Sequence, residues 1–408
     1  ITMGDGSVKF VEQNLLNTDL TLNLSQNIPW TGGSLFLETS AQRMDLFSEH
    51  KYSWQTSPIM IGYRQSLFGY NSLKWDKRIE PVRYQEAKKS YVETLELVSA
   101  NAINKFFALA TAQSNYDIAS FNYANADTLY RYAQGRYNIG TITENEMLQL
   151  ELNRLTEETN RMNARIEMDN CMQELRSYLG IQEEREIRVR VSSRIPDFSI
   201  NLNEALALAY ENSPDIQTMK RRKLESESAV ARARANAGLK ADIYLRFGLT
   251  QTADKLPEAY RNLLDQQYVS LSISLPILDW GRGKGQVRVA RSNRDLVYTQ
   301  VEQNRTDFEL NVRKLVKQFN LQTQRVRIAA RTDETAQRRS EVARKLYLLG
   351  KSTILDLNAS ISEKDSARRN YISALYNYWS LYYTLRSMTL YDFERNTMLT
   401  EDYHLLIE

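Results

Sequence analysis

The sequence predicts a mainly α-helical protein with some β-structure: long antiparallel coiled-coil hairpins and about four β-strands, arranged as an internal duplication with a period of about 210 residues. Three observations support this prediction. Apolar residues follow coiled-coil spacing over very long stretches, short segments of alternating apolar and polar residues lie between them, and one turn motif occurs twice. The 7 Pro and 15 Gly in 408 residues favour long uninterrupted elements.

Composition excludes several classes of function. The chain carries 53 basic and 50 acidic residues, a formal charge of +3, which gives no electrostatic case for nucleic acid as a partner. One cysteine and two histidines provide neither an internal disulfide nor the material for a zinc site or a Cys-His nucleophile. We therefore predict no metal, no cofactor and no enzymatic activity. Because residue 1 is Ile, we interpret the chain as processed or truncated.

Long helices are predicted in both halves of the chain. In the first, Tyr and Ala alternate at steps of three and four residues up to Tyr137, which is the spacing of a coiled-coil seam. A second seam of Leu, Met and Ile ends near Gly180, and the second half repeats the plan after an additional opening helix. The predicted helices span about 72–137, 148–180, 202–237, 286–349 and 353–389.

Segments between the helices alternate strictly and predict strands with one apolar and one polar face. Residues 34–40 and 57–67 in the first half fall on 244–250 and 267–277 after a shift of 210 residues, and a further alternating segment at 20–27 precedes them. The apolar positions that we expect to face lipid, if this sheet lies in a membrane, are Ile59, Ile61, Leu245, Phe247, Leu271, Ile273 and Leu275.

Two interpretations of these strands remain open. Alternating strands most often form a small sheet packed on helices, but strands of about 10 residues also suit an outer-membrane barrel. The smallest membrane barrels need about 8 strands, and open strand edges cannot face lipid. A membrane sheet would therefore have to be shared between chains, and three chains of four strands would supply twelve. The sequence contains no run of 18 or more apolar residues, so no membrane-spanning helix is predicted.

The turn motif joins the two long helices of each half. It occurs as Tyr137-x-x-Gly140-x-x-Thr143-x-x-Glu146 and again, 210 residues later, as Tyr347-x-x-Gly350-x-x-Thr353-x-x-Asp356. Glycine suits the position just past a helix end, where φ is often positive. The threonine then suits the N-cap of the next helix and the acid its third position, as in a capping box. Each motif is therefore predicted to form the tip of a helical hairpin.

Together these features resemble the TolC-type outer-membrane factors of Gram-negative bacteria. The resemblance covers nearly the whole chain and rests on the duplicated plan and the two tip motifs. It also rests on the segments LNEALALAYENSPDI (202–216) and SLPILDWGRGK (274–284), which are similar to the opening helix and the strand-to-helix exit of the family. The resemblance implies a homotrimer with a twelve-strand barrel in the outer membrane and an α-helical tunnel in the periplasm.

The resemblance also implies a function. Members are passive exit ducts of tripartite efflux pumps and type I secretion systems, without enzymatic activity, and export small molecules or polypeptides. A periplasmic adaptor (membrane fusion) protein joins the duct to an inner-membrane transporter, and outer-membrane lipid surrounds the barrel. The six hairpin tips of a trimer form the inner mouth, where the adaptor docks and the tunnel constricts.

Candidate site residues follow from the tip motifs. The aperture candidates are Asp356, Tyr347, Glu146 and Tyr137, and the adaptor-docking candidates are Gly140, Thr143, Gly350, Lys351 and Thr353. Plain capping competes with an aperture role for both Glu146 and Asp356, and packing in the helical seam competes with it for Tyr347. The sequence also departs from the family, because the second aperture acid falls on Ala359 and an Arg near the turn falls on Ser352.

The duplication predicts how the chain is divided. The first repeat comprises a strand segment (1–69), whose leading helix is missing, and a helical hairpin (70–200). The second comprises an opening helix (201–242), a strand segment (243–283) and a hairpin (284–390), followed by a tail (391–408). We expect that N-terminal sequence is missing from this chain. The rival hypothesis is a periplasmic or soluble coiled-coil scaffold protein with a small packing sheet.

Overall fold

The computed structural model describes residues 14–183, 185–192, 195–349 and 351–399 of the chain. Its principal strands are β1 (Leu15–Ile28), β2 (Gly33–Leu46), β3 (Lys51–Ser66), β4 (Lys240–Ala253) and β5 (Leu264–Ser274). Its helices are α1 (Ser72–Asn138), α2 (Glu144–Tyr178), α3 (Leu202–Asn212), α4 (Pro214–Ala237), α5 (Arg282–Leu348) and α6 (Ile354–Thr389). Two short strands, β6 (Tyr391–Asp392) and β7 (Thr397–Met398), follow the last helix.

The internal duplication is visible in these bounds. Shifting α1 by 210 residues reproduces both ends of α5, and the same shift places α2 on α6 to within one residue. The strands β2 and β3 fall on β4 and β5 to within three residues. The shift places β1, however, on α4, so a strand in the first half stands where the second half has a helix. The duplication is therefore close in the hairpins and incomplete at the start of each repeat.

The five long strands form one antiparallel sheet in the order β1-β2-β3-β4-β5. The described chain thus supplies five sheet strands, not the four or so that the alternation predicts, and the additional strand is β1. Each strand lies beside its neighbour in strand order, and β3 and β4 pair across the two repeats. The last strand ends at Ser274, so Leu275, a predicted strand residue, lies outside it. Both β1 and β5 are edge strands of this sheet.

The opening helix of the second repeat is divided in two. We predicted one helix over about 202–237, but α3 ends at Asn212 and α4 begins at Pro214. Ser213 between them has an extended backbone, with ψ of 134°. Proline disfavours a helical conformation at the preceding residue, whereas its fixed φ and missing N–H suit the first position of a helix. Pro81, by contrast, lies inside α1 without ending it.

The chain divides into two compact units, and the sheet belongs to the first, which comprises residues 1–85 and 217–303. On the polar face of the sheet, several side chains from neighbouring strands pack against one another. Phe36 stacks on Tyr244 with ring centroids 5.8 Å apart and lies over Gly62, where a Cβ would come within 2.1 Å of the ring. Met60 is almost fully buried. A side chain at position 62 would therefore displace Phe36.

The second unit comprises residues 86–216 and 304–408 and has an aromatic core. Phe319 packs against Tyr378 and Tyr382, with centroid distances of 5.2 and 6.1 Å. A buried ionic network lies next to this core. Arg386 donates hydrogen bonds to Glu96 at 2.9 Å and to Asp392 at 3.2 Å, and Tyr382 donates to Asp392 at 2.5 Å. This network joins α1 and α6 to the first residues after α6.

Protonation within the network follows from its contacts. Burial, together with the hydrogen bond to Asp392, raises the pKa of the Tyr382 hydroxyl, so it stays protonated and donates. Burial alone would raise the pKa of Asp392, but the hydrogen bonds from Tyr382 and from the Arg395 and Glu394 amides, with the charge of Arg386, hold that pKa below its usual value. The carboxylate is therefore charged at neutral pH.

Candidate functional sites: an open sheet and two helical tips

The apolar face of the sheet carries rows of large side chains that nothing in the described chain covers. One row crosses four strands, since Leu24 pairs with Leu37, Leu37 with Ile61, and Ile61 with Phe247. A parallel row contains Leu35, Leu245 and Val269. Exposed apolar patches of this extent mark a surface that contacts lipid or another protein.

The predicted lipid-facing residues lie on this face. Ile59, Ile61, Phe247, Leu271 and Ile273 are exposed by 46–65% of their surface, although they are apolar and lie in regular strands. Leu245 is half-buried on the same face. Leu275 is also exposed, but it follows the end of β5. The structure thus groups six of the seven candidates on one face of the sheet.

Sequence reasoning missed part of this surface. Leu20, Leu22 and Leu24 of β1 are exposed by 61–77%, more than most of the predicted candidates. Their spacing of two residues is the signal that could have identified them. The prediction of lipid-facing residues omits these leucines because β1 has no counterpart strand in the second repeat.

The opposite face of the sheet is polar and carries cations stacked on aromatic rings. The guanidinium of Arg64 lies 5.4 Å from the ring centroid of Tyr244, and that of Arg246 lies 6.0 Å from Tyr268. Asn23 on β1 donates a hydrogen bond to Glu38 on β2 at 3.3 Å. A sheet that is apolar on one side and charged on the other suits a boundary between lipid and water.

The first tip, between α1 and α2, closes as the motif predicts. Gly140 has a φ of +72°, and the Thr141 amide donates to the carbonyl of Arg136 at 2.9 Å. Thr143 is the N-cap of α2, and the amide of Glu146 donates to the Thr143 hydroxyl at 3.3 Å. The Glu146 carboxylate in turn accepts from the Thr143 amide at 2.9 Å, which completes a capping box.

The second tip repeats this arrangement between α5 and α6. The Lys351 amide donates to the carbonyl of Leu346 at 2.9 Å, the equivalent of the bond in the first tip. Thr353 caps α6, and the Asp356 carboxylate accepts from the Thr353 hydroxyl at 2.7 Å and from its amide at 3.3 Å. Ser352 donates a further hydrogen bond to Asp356 at 3.4 Å. Gly350 lies outside the described residues.

The caps determine the charge of the two tip acids. Hydrogen bonds from the Thr143 backbone and hydroxyl lower the pKa of Glu146 below its usual value. Those from the hydroxyl and backbone of Thr353 lower the pKa of Asp356 in the same way. Both acids are exposed and are charged at neutral pH. Within one chain, capping is sufficient to explain the positions of both carboxylates. Of the two tyrosines of the motifs, Tyr137 is exposed and Tyr347 is half-buried.

The described residues offer no alternative chemical site. They contain no group of three or more His, Cys, Asp or Glu side chains that could hold a metal ion. Burial, with the negative charge of Glu167, raises the pKa of the Cys171 thiol, which makes it a poor nucleophile. In the part of the chain that the structure describes, every helix is too short or too polar to cross a bilayer.

Comparison with known proteins finds a family model that matches the second repeat. Residues 205–389, from α3 to the end of α6, match the model of the family described as outer membrane efflux protein. The resemblance expected from the duplicated plan and the tip motifs is thereby confirmed. No curated protein sequence matches the chain.

Solved structures of outer-membrane channels share the fold over nearly the whole chain. The CmeC channel of Campylobacter jejuni superposes with a TM-score of 0.68 at 15% identity, covering 97% of this chain and 80% of CmeC. VceC of Vibrio cholerae gives 0.63 at 14% identity, with 92% and 87% covered. MtrE of Neisseria gonorrhoeae gives 0.64 at 12% identity, with 93% and 80% covered. These structures confirm the expected fold class, and the family match confirms the expected location, the outer membrane with extension into the periplasm.

Proposed function

We propose that this protein is the exit duct, a passive channel-tunnel, of a tripartite efflux pump or a type I secretion system. It would export small molecules or polypeptides, work as a homotrimer, and couple through a periplasmic adaptor protein to an inner-membrane transporter. One observation carries the proposal. The sheet exposes large apolar side chains on one face, and the described residues supply no partner strand for either of its edges.

The physical reason is the cost of unpaired backbone in lipid. Each unsatisfied N–H or C=O group costs several kcal/mol in hydrocarbon, so an open sheet cannot lie there alone. In water the same sheet would expose its rows of leucine and isoleucine, which favours aggregation. Sharing the sheet among identical subunits in the outer membrane satisfies the edges with neighbouring strands and the apolar face with lipid.

The hairpin tips are the proposed docking site and aperture. The exposed turn residues Gly140, Thr143, Lys351 and Thr353 would meet the adaptor, and Gly350 is a further docking candidate from the sequence. Tyr137, Glu146, Tyr347 and Asp356 would lie near the aperture, where three symmetry-related copies of each carboxylate would face one another. Both tip acids are charged and exposed at neutral pH, which supports an attraction for cations.

Fractionation and recording test the proposed duct. The full chain, expressed with an export signal, should sediment with outer membranes, require detergent for extraction, run as a trimer, and conduct ions in planar bilayers. The scaffold hypothesis predicts that the protein stays in the supernatant after high-speed centrifugation. A monomer in detergent-free solution would contradict the proposed function.

A pair of tip variants tests the aperture. Asp356→Asn should change the cation selectivity of single channels or their block by divalent cations, because it removes three charges from the trimer. Glu146→Gln makes the same test of the acid in the other repeat, which forms the same capping box and is also an aperture candidate. Identical traces for the wild type and both variants would leave both residues with capping alone.

A further inference from the structure

The polar face of the sheet carries three aromatic rings and two arginines side by side, which we call the arginine–tyrosine cluster. Its members are Phe36 on β2, Arg64 on β3, Tyr244 and Arg246 on β4, and Tyr268 on β5. Arg64 stands opposite Tyr244 in the ladder, and Arg246 stands opposite Tyr268. Because all five residues belong to adjacent strands of one sheet, the strand register fixes their relative positions.

The three rings form a continuous apolar floor. Phe36 stacks on Tyr244, with ring centroids 5.8 Å apart and planes 20° from parallel. Tyr268 meets Tyr244 edge to face, at 5.8 Å and 66°. Phe36 is buried, whereas Tyr268 is exposed by 49%. The floor is therefore anchored in the sheet at one end and open at the other.

The two arginines lie over this floor without an ionic partner. The guanidinium of Arg64 faces Tyr244 and that of Arg246 faces Tyr268. Among the described residues, neither guanidinium has a hydrogen-bond acceptor or a carboxylate in contact, and the Nε of Arg246 is buried without a partner. A ring face attracts a cation but accepts none of the forked N–H donors of a guanidinium. These donors are therefore left for groups outside the chain.

Two acids share the polar face with the cluster but do not pair with it. Glu38 accepts a hydrogen bond from Asn23 at 3.3 Å. Asp242 is exposed and has serines opposite it on both neighbouring strands. The positive charge of the cluster is thus not cancelled by direct contact.

Another arginine of the sheet shows the contrasting arrangement. Arg43 also stacks on aromatic rings, with its guanidinium 5.2 Å from the centroid of Tyr52 and 5.6 Å from that of Trp54. Unlike the arginines of the cluster, it forms an ion pair with Asp45 at 2.7 Å. Stacking on rings is therefore compatible with a paired arginine, and the cluster differs in leaving its charges unpaired.

An aromatic anion fits both features of the cluster. A guanidinium presents a planar fork that binds an anionic group through two parallel hydrogen bonds. The ring floor stacks with a planar aromatic body. An aliphatic anion would use only the arginines and a neutral aromatic compound only the rings, so a ligand that has both groups gains from both.

We propose that the arginine–tyrosine cluster is a binding subsite for aromatic anions that pass through the duct. The inference rests on the proposed function, in which the polar face of the sheet lines the water-filled pore. Each chain of the assembly contributes one such subsite to the pore wall. Binding there is weak, since a compound in transit has to leave the subsite again.

Block of the ion current tests the subsite. In planar bilayers that contain the full-length protein in KCl, benzenesulfonate should reduce the single-channel current. Methanesulfonate, which lacks the ring, and benzenesulfonamide, which lacks the charge, should block far less at the same concentration. The variant Arg64→Gln/Arg246→Gln should raise the half-blocking concentration of benzenesulfonate about tenfold, because it removes both forks. Each single variant should give an intermediate value, so the test does not depend on the double variant alone.

Two further variants separate the contributions of charge and ring. Arg43→Gln is the matched control, since it removes a stacked arginine whose charge is already paired, and it should change the half-blocking concentration by less than about twofold. Tyr268→Leu removes the most exposed ring of the cluster and should weaken block by benzenesulfonate about threefold. It should leave the weak effect of methanesulfonate unchanged.

The outcomes distinguish this inference from the proposed function. If the protein conducts KCl but benzenesulfonate and methanesulfonate block equally, or if the arginine variants block like the wild type, the subsite is wrong and the duct stands. Equal changes in Arg43→Gln and in the cluster variants would also contradict the subsite, because any arginine of the sheet would then suffice. If the wild-type protein neither inserts nor conducts, the proposed function itself fails.

Discussion

The sheet and the hairpin tips differ in how completely one chain satisfies them. In each tip, the polar groups at the helix ends find hydrogen-bond partners within about 20 residues. The threonine and the acid of each capping box bond to one another, and an amide after the turn donates to a carbonyl of the preceding helix. The sheet exposes an apolar face and two long edges for which the described chain has no partner strand. The tips are thus satisfied by contacts within one chain, whereas the described residues leave the sheet with unpaired edges and an uncovered apolar face. The helical body, which is the second unit, resembles the tips in this respect, because its buried Arg386 forms ion pairs with Glu96 and Asp392 of the same chain.

The largest effect is expected in that helical body. Arg386→Met should lower the free energy of unfolding by about 3–5 kcal/mol, because it leaves Glu96 and Asp392 as buried charges without their cation. Thermal unfolding of the purified protein, followed by circular dichroism, measures the change.

The control for Arg386 is an exposed arginine with an ion pair of its own. Arg331 lies 2.6 Å from Glu334 but is largely in solvent, so Arg331→Met should cost about 0–1 kcal/mol. Equal losses for the two variants would mean that the network around Arg386 contributes no more than a surface pair.

The sheet is tested by introducing a charge on its apolar face, whereas the helical body was tested by removing one. Leu271→Lys should cost about 2–4 kcal/mol at the bilayer midplane, because the proposed duct places Leu271 against lipid. The neighbouring Ser270→Lys places the same charge on the polar face, opposite Tyr244, and should assemble normally. Trimer yield in outer-membrane fractions measures both. A sheet that packs on its own helices in solution would show no such asymmetry in membrane yield.

The tips were predictable from sequence because their determinants are local. A Thr followed three residues later by an acid specifies a capping box from side chains within one helical turn, and the structure has that box at Thr143 and at Thr353. The ends of α1 and α5 followed from seam spacing and from the repeated glycine in the same way. Whether these residues dock an adaptor depends on other molecules, which local chemistry does not encode.

The number of strands was not predictable by the same reasoning. We counted strands that recur after 210 residues, and the range of β1 shifted by that distance falls on α4. Whether an alternating segment becomes a strand depends on a partner edge elsewhere in the chain, here β2. The division of the opening helix at Pro214 was missed for a different reason, because helical spacing continues through the break and only the proline marks it.

Two glycines near the first tip should respond to the same substitution with opposite signs. Gly140 has a φ of +72° and Gly135 lies inside α1, and a Cβ at either would meet nothing within 4 Å. Gly140→Ala should therefore destabilise the tip by about 1–2 kcal/mol through backbone strain alone. Gly135→Ala should stabilise the helix by about 0.5–1 kcal/mol. Hydrogen exchange over residues 130–150 measures both. A loss in both variants would mean that the space around the glycines, and not φ, is decisive.

The smallest expected effect is the pH dependence of the tips, and its sign follows from the caps. Both Glu146 and Asp356 have pKa values held below the usual 4.5 and 3.8, so their stabilisation is present at neutral pH and is lost as the pH falls through the lowered values. Glu146→Gln and Asp356→Asn remove the charge at every pH. Hydrogen exchange at the starts of α2 and α6 should therefore be faster in the variants than in the wild type at about pH 6. That difference should shrink as the pH falls below 3.8 and through the lowered pKa values, where the wild-type carboxylates also become protonated. A difference that stays constant over this range would assign the caps to hydrogen-bond geometry, with no contribution from the negative charge at the helix N-terminus.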